Sequence, residues 1–163
     1  MDVALVLARW VHFMAGVMWL GLLYYFNFVH AGAMKAAGAD GSAGALTKHV
    51  LPRALFWFRW ASVVTWLAGA ALLGPHFTDA FMLRNGMAGI GVGAWLGTIM
   101  LANVWLVIWP NQKRVLGLVE ADEARKAAAR RTAFLVSRLN LVLSIPMLFF
   151  MAGGWSHRAA FGL

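Results

Sequence analysis

Trp10–His30 reads W-V-H-F-M-A-G-V-M-W-L-G-L-L-Y-Y-F-N-F-V-H, 21 residues without an Asp, Glu, Lys or Arg. At about 1.5 Å per helical residue the run covers roughly 30 Å, the thickness of a bilayer's hydrocarbon core. Its two histidines stand 18 residues apart, about 27 Å along a helix and at nearly the same azimuth. A membrane helix is expected here, with His12 toward one surface and His30 toward the other.

Three more apolar stretches have the same reach, so helices are expected at about 3–29, 54–73, 87–109 and 133–153. The whole 163-residue chain is 62% hydrophobic and 12% charged, with mean hydropathy +0.72, whereas a soluble domain carries about 25% charge. Backbone groups in lipid must be satisfied internally, and no alternating ten-residue segments suggest a barrel. The expectation is a single all-α membrane domain, 1–163, folded as an integral four-helix bundle. The first stretch holds Arg9 and His12 and lacks a basic leader, so it is not expected to be a removable signal peptide.

The net charge of +8 is sorted by end rather than gathered into a nucleic-acid stripe. Four spans put loops 30–53 and 110–132 on one side, and eleven of the fourteen basic residues fall on that side, nine in the loops and Arg59 and Arg138 just inside the adjoining span ends, leaving Arg9, Arg84 and Arg158 on the other. The positive-inside rule makes those loops cytoplasmic and both termini outside, periplasmic in a Gram-negative bacterium, with the chain in the inner membrane. With no cysteine, disulfides, thiolate sites and covalent haem attachment are excluded.

The Gly/Ala-rich loop 30–53 reads as a flexible linker. Pro110 is expected to end the third helix, and E-A-D-E-A-R-K-A-A-A-R-R to form a helical extension with a solvated charged face. Gly89, Gly93 and Gly97 repeat every four residues, a stripe that lets a helix or flat ring approach closely. Pro146 is expected to kink the fourth helix beside Ser144.

Two groups of residues carry chemistry. Histidine within lipid needs a partner. His12, with His157 or His76 on the same outer side, is a candidate axial pair for the iron of a non-covalent haem b. His30 and His49 form a weaker inner pair, satisfied by interfacial water. Deeper from the inner boundary, Arg59, Asn103, Arg138 and Asn140 reach one layer, with Asn27 shallower. No acid neutralises this layer, which therefore suits an anion, a haem propionate or a planar acidic substrate. Snorkelling arginines and amides joining helices account for the same pattern. Trp10, Trp109 and Trp155 read as an interfacial belt, whereas Trp57, Trp60, Trp66, Trp95 and Trp105 lie deeper, to pack or to wall a ring.

Several strings together, W-V-H-F-M-A-G-V-M-W-L-G-L-L-Y-Y-F-N-F-V, F-W-F-R-W, L-A-N-V-W-L-V-I-W-P-N-Q-K and S-R-L-N with L-S-I-P-M-L-F-F-M and S-H, resemble the N-terminal membrane domain of bacterial membrane-bound urate hydroxylases. The resemblance implies oxidation of urate to 5-hydroxyisourate, with electrons passed to cytochrome c. On the matching strings it points to His12, Arg59, Asn103, Asn111, Gln112, Arg138, Asn140 and His157 as ligand or substrate residues. The family's membrane domain is longer and joined to a cytochrome c domain. This chain holds four spans and no haem c motif, so a homo-oligomer or a separate cytochrome c-type acceptor is expected. The other reading is a non-catalytic accessory subunit of a larger respiratory or photosynthetic complex. A transporter is disfavoured because paired broken helices and a proton-coupling acid are missing from the sequence.

Overall fold

The structure, a computed structural model, describes residues 2–153. Their regular structure is all helical, with no strand among the described residues. The four long helices are α1 (Val3–Ala39), α2 (Ala43–Phe81), α3 (Ala88–Val115) and α4 (Glu123–Gly153), each long and apolar enough to cross a membrane. Asp2 caps α1 by accepting the Ala4 N–H at 2.9 Å, and Asp122 caps α4 by accepting the Arg125 N–H at 2.7 Å, so orphan amides at both starts find partners.

The helices outrun the apolar stretches. The region expected to be a flexible linker continues α1 to Ala39 and starts α2 at Ala43, leaving a turn through Gly41 at φ 80°. The alanines of A-G-A-M-K-A-A-G-A favour helix enough to offset the glycines once a packed helix has nucleated the run. Pro110 does not end α3 either. A π-helical segment, Asn103–Ile108, precedes it, and Pro110 sits in the first turn of the α-segment Trp109–Val115, where its missing N–H costs little. The helix stops at Gly117, φ 73°, whose own N–H and that of Leu118 close back onto the carbonyls of Arg114 and Lys113. Residues 123–132 join the fourth span as expected, and α4 passes through Pro146 without a break.

Packing pairs α1 with α2 and α3 with α4. The core is formed by Trp19, Leu23, Phe58, Met100, Val104, Ile108, Ala133 and Met147. Gly89, Gly93 and Gly97 are all buried. A Cβ on Gly93 stands 3.2 Å from Met151 of α4, whereas one on Gly97 meets nothing within 4 Å. The tightest approach is at Gly91, where a Cβ runs into the Ala80 carbonyl. Gly74, at φ 48°, turns the end of α2 so that Phe81 meets Trp95. The outer surface is apolar, with Val17 and Phe28 70% and Leu106 74% exposed, as a lipid-facing surface requires.

Candidate functional site

Three π-helical segments interrupt the bundle: Tyr25–His30 in α1, Leu46–Val50 in α2 and Asn103–Ile108 in α3. Such wide turns recur at functional sites because they displace side chains from the regular ladder. Here they converge on a cavity of about 420 Å³, to which they contribute Phe26 and His30, Thr47, and Ile108. The cavity lies at the basic end of the bundle. Leu51, Leu55 and Phe58 wall it, and His30, Gln112, Ser137, Arg130 and Arg131 supply its polar groups.

The polar groups differ in what they still need. Ser137 Oγ accepts from Asn27 Nδ2 at 2.9 Å. His30 is buried, its Nδ1 3.4 Å from Tyr25 Oη, with Phe26 edge-on at 5.8 Å. Gln112 Oε1 is buried without a hydrogen-bond partner among the described residues, and an orphaned acceptor is satisfied by an N–H donor. Arg130 and Arg131 line the cavity, are exposed and form no ion pair within 4 Å among the described residues, although the Arg130 charge is felt by Glu123 further back on α4. Apolar walls, two guanidinium groups and a lone buried acceptor suit a flat anion bearing N–H groups.

The layer expected from depth divides. Asn103 Nδ2 donates to Asn140 Oδ1 at 2.8 Å, and Asn140 Nδ2 donates to the Met100 carbonyl at 3.0 Å. Asn27 also donates to the Leu23 carbonyl at 2.8 Å. The Arg59 guanidinium lies 3.5 Å from the Trp109 ring centroid, and its Nε is buried without a hydrogen-bond partner among the described residues. Arg138 lies over Phe134 at 4.8 Å. Asn111 donates to the Val107 carbonyl at 2.8 Å and accepts from Arg114 at 3.1 Å. Of the six anion-binding candidates, only Gln112 lines the cavity.

His12 is elsewhere. Its Nδ1 is 2.8 Å from the Thr65 carbonyl, and its ring lies so close to Gly69 that a Cβ there would come within 2.9 Å. Donating Nδ1–H to a carbonyl leaves the Nε2 lone pair for a metal, the usual outer-shell arrangement of a metal-binding histidine. The donor chemistry thus fits a residue that would hold a haem iron through Nε2. His76 is exposed in the short turn Gly74–His76 within the last part of α2, seven residues past Gly69. His157 lies outside the described residues. No group of three or more His, Cys, Asp or Glu residues is placed to hold a metal among the described residues.

The family model described as Urate oxidase N-terminal matches residues 76–160, just over half of the chain. The chain belongs to the urate oxidase N-terminal family. Neither the curated proteins nor the solved structures contain a match. The urate oxidase N-terminal match takes in α3, α4 and hence Gln112, Arg130 and Arg131, while His12, His30 and Arg59 precede it. Arg130 and Arg131 read in the sequence as part of a solvated face. Their signal was periodicity: Arg130, Phe134 and Ser137 fall at i, i+4 and i+7 and share a helix face once α4 is known to start at Glu123.

Proposed function

We propose that this chain is the membrane component of a urate-oxidising redox system that binds the urate anion in the basic-end cavity. The observation that carries the reading is a Gln112 acceptor without a hydrogen-bond partner among the described residues, in a cavity that two arginines and apolar walls also line, in a member of the urate oxidase N-terminal family. The charge asymmetry supports cytoplasmic loops, outside termini and a bacterial inner-membrane location. Electrons then leave to a cytochrome c-type acceptor.

His12 is the residue we assign to a haem b, with His157 or His76 as second ligand. Haem, when bound, supplies one-electron transfer. His12 contributes its Nε2, and the Thr65 carbonyl holds the ring in orientation.

One observation favours a second reading, an accessory or self-associating subunit. In α1, Val3, Leu7, Trp10, Met14 and Val17 follow a 4-3-4-3 spacing and are each at least 60% exposed, a seam suited to another membrane helix.

The test is urate-dependent reduction of a soluble c-type cytochrome by the purified, detergent-solubilised chain, with urate binding measured in parallel. Binding and reduction that both fail in Gln112→Leu support the proposal. A folded chain that binds no urate overturns it and leaves the accessory reading.

A further inference from the structure

We infer that His30 takes the ring N–H proton as urate gives up its electrons, and that Tyr25 is its positioning residue; this rests on reading the cavity as the urate site. Among the described residues that line the cavity, His30 is the one whose side chain gains and loses a proton near neutral pH. Gln112, Thr47 and Ser137 carry no titratable group, and apart from the two arginines the remaining lining residues are apolar.

The backbone is built for the pairing. Residues five apart on an α-helix differ by roughly 140° in azimuth, so Tyr25 and His30 would point to different faces. The wider π turn at Tyr25–His30 brings the Tyr25 Oη to 3.4 Å from His30 Nδ1. When Nδ1–H donates to Tyr25 Oη, the lone pair is on Nε2, the nitrogen left for the ligand. The ring has little room to turn, because it packs against both Tyr25 and Phe26, with centroids 5.7 and 5.8 Å away. Tyr25 and Phe26 on α1 touch the ring, and the other polar or charged groups that share the cavity with it are Thr47 on α2, Gln112 on α3, and Ser137, Arg130 and Arg131 on α4.

The step balances. The urate monoanion loses two electrons, one at a time, to two equivalents of a haem-protein acceptor, and one N–H proton to His30 Nε2, giving the neutral dehydro-purine. Water then adds across its C=N bond, the oxygen to carbon and a proton to nitrogen, to give 5-hydroxyisourate. His30 returns its proton to solvent through the cavity mouth.

The experiment compares wild type, His30→Gln and Tyr25→Phe for equilibrium urate binding and for the pH profile of urate-dependent cytochrome c reduction, in full-length detergent-solubilised protein. His30→Gln is expected to bind urate within a few-fold of wild type, to turn over about 100-fold more slowly, and to lose the acidic limb of the profile. Tyr25→Phe is expected to keep the limb but shift it, with a smaller loss of kcat. Added imidazole should restore part of the rate in His30→Ala. An unchanged rate and limb in His30→Gln overturn the role of His30 while leaving the urate reading intact. Wild type that binds no urate overturns both. If His30→Gln does not fold, an unshifted limb in Tyr25→Phe overturns the inference.

Discussion

Asn103 and Asn140 join α3 to α4 through a single amide contact, Asn103 Nδ2 to Asn140 Oδ1 at 2.8 Å, and Asn140 is completely buried. Each Asn140 amide atom therefore has a protein partner, since its Nδ2 reaches the Met100 carbonyl. In apolar surroundings such a pair holds two helices in register. Asn140→Ala strands the Asn103 donor and is expected to cost about 1–2 kcal/mol. Thermal unfolding in detergent checks the loss. A double-mutant cycle with Asn103→Ala should give a coupling of about 0.6 kcal/mol or more, and a coupling of zero would remove the pair as a helix joint.

Arg130 and Arg131 are expected to act on ligand binding and hardly on folding, because both are exposed and lack an ion pair among the described residues. The double variant Arg130→Gln, Arg131→Gln should weaken urate binding by about 10-fold or more and flatten its salt dependence, while unfolding shifts little. Urate titration at two ionic strengths separates this from an indirect effect, since a distorted cavity weakens binding equally at both.

How much of this was legible from the residues follows from which physical signal each part leaves. Helices long enough to cross a membrane announce themselves by apolar length, so the four long helices were readable over their apolar stretches. Their polar ends were not, because helix 31–39 is set by propensity and by packing at Ala37, not by hydropathy. Depth counting found the Asn103–Asn140 layer but could not tell a ligand amide from one spent on a neighbouring helix. Gln112 was carried over from a resembling string, whereas His30 was read as interfacial. Its burial depends on the π turn at Tyr25–His30, and no residue type in Y-F-N-F-V-H specifies that turn.

Small residues on α3 divide the same way. Gly91 lies outside the four-residue stripe, yet a Cβ there meets the Ala80 backbone carbonyl, which cannot swing aside. Gly91→Ala is expected to destabilise the chain by about 1–3 kcal/mol. Gly97→Ala, with open space around its Cβ position, should be neutral or gain slightly from helix propensity, by up to about 1 kcal/mol. Thermal unfolding of the two variants side by side tests this, and equal losses would mean that α3 packs through the stripe as a unit.

The sharpest division lies between the two histidines of Trp10–His30. His12 is held by the Thr65 carbonyl and packed on Gly69, an orientation that leaves Nε2 for iron, whereas His30 lines a cavity beside Tyr25. If haem b binds as proposed, His12→Ala removes the Soret band and the pyridine haemochrome signal of protein purified from haem-sufficient cells, and His30→Ala keeps both. Gly69→Ala is a milder probe. Its methyl group presses on the His12 ring from 2.9 Å and should broaden or shift the reduced-minus-oxidised bands without abolishing them. His157→Ala and His76→Ala then identify the second ligand by which one repeats the loss. A spectrum that depends on His30 and ignores His12 would move the cofactor to the basic-end cavity and displace urate from it.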